Sequence, residues 1–283
     1  MNQTKVTRRR LRQGLEGPDL VVAPFVYDGL QAKIAEAAGF GALYMTGFGT
    51  AAARGLPDVG LLTMTEMVEN VRVLARSVAI PLICDADTGY GSPLNVIRTV
   101  EEYEAAGASA LHIEDQVWPK RCGFLLGKQV IPLAEMVAKV RAACEARRDP
   151  DLVIIARTDA LEPEGWESVE RRARAYREAG ADLVFVDGIH TLDDLDAYTA
   201  RLGDLPRLYN GALLSTDEIG KRGFKVMIHT GTLAAAYRAV RDAMAELKRT
   251  GAVADAGDLS VFAELVRLLG APAAFERAQR YDT

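Results

Sequence analysis

Short apolar runs alternate with longer amphipathic stretches along almost the whole chain. Eight runs can be marked, at residues 20–26, 42–46, 82–87, 110–115, 152–158, 183–187, 207–210 and 225–230. Several are nearly continuous Val, Ile and Leu, as parallel strands buried on both faces require. Between them the apolar period becomes helical, which predicts helices over 29–38, 64–77, 93–106, 133–145 and 168–179. A weak internal repeat agrees with this division. Glu36-Ala37-Ala38-Gly39, Glu104-Ala105-Ala106-Gly107 and Glu178-Ala179-Gly180 each precede a strand, with glycine where a helix C-cap needs φ > 0. Eight β-then-α units predict an α/β fold, a closed (β/α)8 TIM barrel, as one domain over residues 1–283. Residues 251–283 read as a C-terminal helical extension. Leu259, Phe262, Leu265 and Leu269 set an amphipathic helix over 258–269, suited to covering a barrel end or docking on a neighbouring subunit.

Composition narrows the class. The 283 residues are 49% hydrophobic and 26% charged, an ordinary globular balance with ample core. A net charge of −5 offers no electrostatic case for nucleic acid or an anionic membrane. No apolar stretch reaches bilayer-spanning length, and the apolar run after the basic N-terminus is broken by Pro24 and Asp28, so a cytoplasmic protein is expected. Arg8-Arg9-Arg10 reads as the solvated start of a helix. The three cysteines, Cys84, Cys122 and Cys144, are odd in number and widely spaced, which argues against a disulfide framework or zinc site.

The chemistry gathers where the strands end. The third predicted strand stops in Asp85-Ala86-Asp87, the fourth in Glu114-Asp115. Alternation along an extended chain puts Asp85 and Asp87 on one face. Acids from two adjacent strands repel one another unless a cation sits among them, and all-oxygen ligands favour Mg²⁺ or Mn²⁺. The remaining strand ends are polar too: Tyr27-Asp28, Tyr44 with Thr46-Gly47, His112, Arg157-Asp159, Asp187, Asn210 and His229. In a barrel, that rim is where active sites lie. Arg157 closes an otherwise apolar strand and must be paired, either with an anionic ligand or structurally with Asp159 or Asp187. Residues 47–52 superficially match a dinucleotide-binding glycine pattern, but no acidic strand end follows about twenty residues later. They read better as a loop of free N–H groups for a carboxylate. In the loop 118–124, Cys122 beside Lys120 and Arg121 is expected to have a lowered pKa, and the segment is long enough to be a lid.

Taken together these motifs resemble the isocitrate lyase/phosphoenolpyruvate mutase superfamily, over about residues 21–241. Tyr44-Met45-Thr46-Gly47-Phe48-Gly49 is similar to its α-keto-acid loop, and Leu56-Pro57-Asp58 and Asp85-Ala86-Asp87 are similar to its metal-site acids. His112-Ile113-Glu114-Asp115-Gln116 and Ala156-Arg157-Thr158-Asp159-Ala160 match its strand ends, and Lys120-Arg121-Cys122-Gly123 resembles the mobile loop of its lyase branch. The resemblance implies Mg²⁺-dependent carbon–carbon cleavage of a substituted 2-hydroxy dicarboxylate, of the 2,3-dimethylmalate or methylisocitrate type, to pyruvate or a similar 2-oxo acid. It implies metal ligation by Asp58, Asp85, Asp87 and Glu114, with Cys122, Tyr44, Arg157 and Glu114 catalytic. Substrate binding would fall to Thr46, Gly47, Asp58, Gly123, Arg157 and Asn210, in a homotetramer. Two positions depart from the pattern, Phe124 where the lyases usually have His, and 211–215 where they have a polar, acidic loop. Both changes remove groups that would meet a third carboxylate, which favours the smaller, more apolar substrate. The alternatives are an oxaloacetate decarboxylase or phosphonopyruvate hydrolase using the same metal site, an NAD oxidoreductase, and a barrel that binds without turnover.

Overall fold

The computed structural model describes residues 3–123, 125–254 and 257–281. Eight parallel strands close into a barrel in sequence order: β1 (Val21–Val26), β2 (Leu43–Met45), β3 (Leu82–Asp85), β4 (Ala110–Glu114), β5 (Val153–Thr158), β6 (Leu183–Val186), β7 (Arg207–Asn210) and β8 (Val226–His229). Around them run α1 (Gln3–Glu16), α2 (Gly29–Ala37), α3 (Gly47–Ala52), α4 (Met64–Ser77), α5 (Pro93–Ala106), α6 (Leu133–Ala146), α7 (Leu161–Glu178), α8 (Leu192–Leu202), α9 (Thr216–Lys221) and α10 (Gly231–Thr250). Two further helices, α11 (Leu259–Leu268) and α12 (Ala271–Gln279), extend the C-terminal end. All eight expected strands are present, and the expected helices at 64–77 and 93–106 match to the residue.

The double burial inferred from the Val/Ile/Leu runs is what the strands have. One face of each strand fills the barrel interior, where Phe25, Ile83, Val153, Ile155, Leu183 and Leu208 pack together. The other face meets the helices, as with Leu82, Leu111, Ile113 and Ile154. Because the period is two, one strand supplies both layers and the polar top: in β4, Ala110, His112 and Glu114 face inward while Leu111 and Ile113 face the helices.

Three readings need correction. Residues 47–52 are not an open loop but the short helix α3, capped by Thr46, whose hydroxyl accepts the Gly49 N–H at 3.2 Å. The helix expected over 168–179 begins seven residues earlier and bends at Gly165, where φ is +74°. Arg8 is not solvated. It is 5% exposed on α1, which closes the N-terminal end of the barrel. There its guanidinium bonds the Ala108 carbonyl (2.9 Å) and pairs with Asp149 (3.1 Å) and Glu104 (3.5 Å). Removing the cation would leave two mostly buried carboxylates facing each other. Arg8→Met is therefore expected to lower stability by about 3 kcal/mol in urea unfolding; a loss below about 0.5 kcal/mol would show that the plug is incidental.

Candidate active site

The inward positions at the strand C-termini carry the charge. The strand register pairs Asp85 with His112 and Glu114 with Arg157. Arg157, from β5, binds three acids: Asp159 through Nε and Nη2 (both 2.8 Å), Glu114 through Nη1 (3.2 Å) and Asp187 through Nη2 (3.1 Å). Its guanidinium also lies 5.1 Å from the Phe185 ring centroid. The structural ion pairing considered for Arg157 thus exists with both Asp159 and Asp187, and Glu114 joins it.

The acid pairs separate into two jobs. Glu114 points into the site, whereas Asp115, one residue on, points outward. Asp115 accepts bonds from Thr158 Oγ1 (2.8 Å), the Asp159 N–H (2.9 Å) and Tyr176 Oη (2.7 Å), and pairs with Arg172 (3.3 Å). It fastens β4, β5 and α7 together. On β3, Asp85 accepts the Gly47 N–H (3.2 Å) and the Asp87 N–H (2.9 Å). Asp87 lies just past the strand with φ +47°, a left-handed conformation unusual for a side-chain-bearing residue and frequent at functional sites.

A cation does sit among these acids, and it is Lys120. Its ammonium bonds Asp58 Oδ1 and pairs with Asp87 at 2.8 Å, while the side chain is 4% exposed. Arg121 bonds the Leu126 carbonyl instead (2.9 Å). The four acids expected at a metal all lie near the Lys120 ammonium and hold it charged, while Asp85 also accepts from Gly47 and Tyr44 and Glu114 pairs with Arg157. Among the described residues no three acid, histidine or cysteine side chains are grouped to hold a metal as arranged.

The charge balance still fits a hard cation. Among the described residues Asp58, Asp87, Glu114, Asp159 and Asp187 pair with Arg157, Lys120 and Lys128, and Asp85 adds a further negative charge beside them. Buried Glu114 Oε1 has no hydrogen-bond donor among the described residues, and Asp87 Oδ1 meets the Lys120 ammonium at 2.8 Å. Burial pushes the Asp87 and Glu114 carboxyls above the usual range; at Asp85 burial is outweighed by His112, Lys120 and Arg157, which hold it below. Divalent charge placed among such oxygens would restore their ionisation.

Tyr44 and His112 form the floor. Tyr44 Oη is 2.8 Å from His112 Nε2 and 3.4 Å from Asp85 Oδ2. Burial brings His112 down to about 4, so the imidazole is neutral near pH 7. Burial and the neighbouring Asp85 push the Tyr44 phenol well up, which makes it a hydrogen-bond donor and a poor base.

The lid is closed. The Cys122 N–H donates to the Asp58 carbonyl (3.1 Å), and Cys122 is 8% exposed. Gly123 lies so close to β6 that a Cβ would collide with Asp187 Oδ2 and sit 3.1 Å from Arg157 Nη2. Its carbonyl accepts Lys128 Nζ at 3.0 Å, and Lys128 also pairs with Asp159 and Asp187 (both 3.5 Å). Lys128 was not singled out from the sequence; the excess of strand-end acids over cations was the available signal. Phe124 lies outside the described residues. Asn210 donates to Asp187 (3.3 Å) and, with Gly123 and Leu213, lines a cavity of about 310 Å³. His229 and Asp28 are spent locally: His229 Nδ1 accepts the Gly231 N–H (3.2 Å), and Asp28 caps α2.

Comparison with known proteins places the chain in a family. The family model described as phosphoenolpyruvate phosphomutase matches residues 11–248. The chain belongs to the phosphoenolpyruvate phosphomutase family. It is 38% identical over 285 residues to 2,3-dimethylmalate lyase of Eubacterium barkeri, covering 98% of this chain and 99% of that one. Among solved structures it resembles oxaloacetate acetylhydrolase in complex with 3,3-difluorooxalacetate (TM-score 0.91, 38% identity, 97% of each chain). It also resembles phosphonopyruvate hydrolase in complex with oxalate and Mg²⁺ (TM-score 0.89, 33% identity, 98% and 99% covered). The relatives in this family are enzymes.

The tight seat of Gly123 makes lid closure testable. Gly123→Ala is expected to prop the lid open, so that Cys122 is alkylated by iodoacetamide at least tenfold faster with little change in thermal unfolding. An unchanged alkylation rate would mean that this contact does not hold the lid.

Proposed function

We propose that this protein is a metal-dependent carbon–carbon lyase that cleaves a substituted 2-hydroxy dicarboxylate of the 2,3-dimethylmalate kind into a 2-oxo acid and a carboxylic acid. The observation that carries the reading is Cys122, held by the lid between the Asp58 loop and the Arg157–Asp187 pair, above the strand-end acids. Asp58, Asp85, Asp87 and Glu114 would hold Mg²⁺ or Mn²⁺, with Lys120 withdrawn from between Asp58 and Asp87. Such an ion supplies Lewis-acid polarisation of the 2-hydroxyl and its neighbouring carboxylate.

The chain's own groups do the rest. Glu114, held by Arg157 through one oxygen and free at the other, takes the hydroxyl proton. Tyr44 donates a hydrogen bond as the hydroxyl carbon becomes a carbonyl and the C–C bond breaks. The electron pair passes to the departing carboxylic fragment as an enolate, and Cys122 delivers the proton that quenches it. Thr46, Gly47, Gly123 and Asn210 orient the carboxylates, and Arg157 keeps Glu114 and Asp187 in place. The closed lid excludes water, which would otherwise quench the carbanion early.

A second reading is hydrolysis or decarboxylation of a four-carbon oxo acid or a phosphonate in the same site. It draws support from the likeness to oxaloacetate acetylhydrolase and from the modest cavity beside Asn210. A cytoplasmic location is part of the proposal, as suits an enzyme of small carboxylic acids. No helix among the described residues is long and apolar enough to cross a membrane. The exposed apolar side chains of α10–α12, among them Val240, Met244, Phe262 and Phe275, suit burial against other copies in a tetramer.

Pyruvate release, with oxalate release measured beside it to detect hydrolysis of oxaloacetate, separates the readings when followed with Mg²⁺ and with EDTA over 2,3-dimethylmalate, 2-methylisocitrate, citramalate, oxaloacetate and phosphonopyruvate. The lyase predicts metal-dependent cleavage of 2,3-dimethylmalate and a fall of about a hundredfold or more in kcat for Cys122→Ser. Turnover only of oxaloacetate or phosphonopyruvate, indifferent to Cys122, would select the second reading. Light scattering at monomer mass would exclude the tetramer.

A further inference from the structure

A second cavity, of about 520 Å³, opens beneath the base of the lid. It shares no lining residue with the cavity beside Asn210. Leu61, Leu62, Met64, Ile131 and the Trp118 ring form apolar walls, and Lys139 of α6 reaches in from below. Lys139 is only 4% exposed. The other two buried lysines each hold two carboxylates. Lys139 has none within ion-pair distance among the described residues; its hydrogen bond is a long one, 3.4 Å, to the Thr88 carbonyl. An ammonium with one long protein acceptor keeps donors that can be turned to whatever occupies the cavity it lines. Glu135, one helical turn earlier on α6, is exposed where it lines the cavity. It leaves room for one negative charge and works against a second.

We propose that this cavity is a second binding site, for a small organic monoanion whose carboxylate meets Lys139 and whose flat apolar body lies between Trp118 and Leu61–Met64. The site touches the lid where the lid is anchored. Gln116 and Trp118 lie at its start, Ile131 at its end, and the bridge between Gln116 and Val130 ties the two. Occupancy would brace the lid base without reaching Cys122 or Arg157.

The probe is benzoate, read by Trp118 fluorescence in a Trp166→Phe background, where Trp118 is the remaining tryptophan of the two. The protein is titrated at saturating Mg²⁺ and oxalate, so that carboxylate binding at the strand-end acids is already satisfied. A saturable change is expected that rising oxalate does not displace. Lys139→Met, which keeps the apolar stem, should weaken it about tenfold or more. Leu61→Glu, at an exposed rim position, should weaken it as well and decides the matter should Lys139→Met fail to fold. No saturable change, displacement by oxalate, or an affinity unchanged from the parent protein in both variants would each overturn the proposal.

Discussion

The buried charge around Arg157 is the constraint on which the rest of the site depends. One guanidinium holds Glu114, Asp159 and Asp187. Those acids come from β4, from the turn after β5 and from the turn after β6, so a single cation sets the relative positions of three strand ends. Burial that deep is tolerable only because the partners are charged and well placed, and losing one would leave its neighbours unpaired in a low dielectric. The barrel supplies the rigidity: inward residues of adjacent strands are in register, and each is backed by an apolar layer on both sides.

Neutralisation of the acids is also the link to chemistry. Lys120 brings one charge to Asp58 and Asp87 and belongs to the loop that carries Cys122. The same salt bridges that quiet the acid cluster therefore hold the lid down, and a divalent ion among those acids would compete with Lys120 for them. Lid position and acid ionisation are coupled through one side chain. Lys128 does the same on the opposite flank, joining the Gly123 carbonyl to Asp159 and Asp187. A lid fixed by buried ion pairs on both flanks opens only when both sets of carboxylates find other partners.

The apolar helices at the C-terminal end belong to a different economy of forces. None of α10, α11 or α12 buries a residue within this chain, yet each keeps an amphipathic pattern. α10 follows β8 and packs against β1, while the exposed apolar faces of all three helices suit the association of copies proposed above.

The sequence by itself determined the barrel, because doubly buried parallel strands and their period-two polar ends are local properties. It also marked the acids of the rim: alternation put Asp85 and Asp87 on one face, and resemblance singled out Asp58, Glu114 and Cys122. That Asp115 turns away from Glu114 was left to the structure, because its partners Arg172 and Tyr176 lie far along the chain. Only the tertiary structure decided which cation meets which acid. Lys120, Lys128 and Arg8 are long side chains on loops or a terminal helix, and nothing local says which way such a chain will reach. Lys120 sits two residues from Cys122 and still turns to Asp58 and Asp87, because three dimensions put those carboxylates within reach and left them with an excess of negative charge. Charge pairing is a long-range choice made after the backbone is in place, whereas the strand pattern that builds the backbone is written residue by residue.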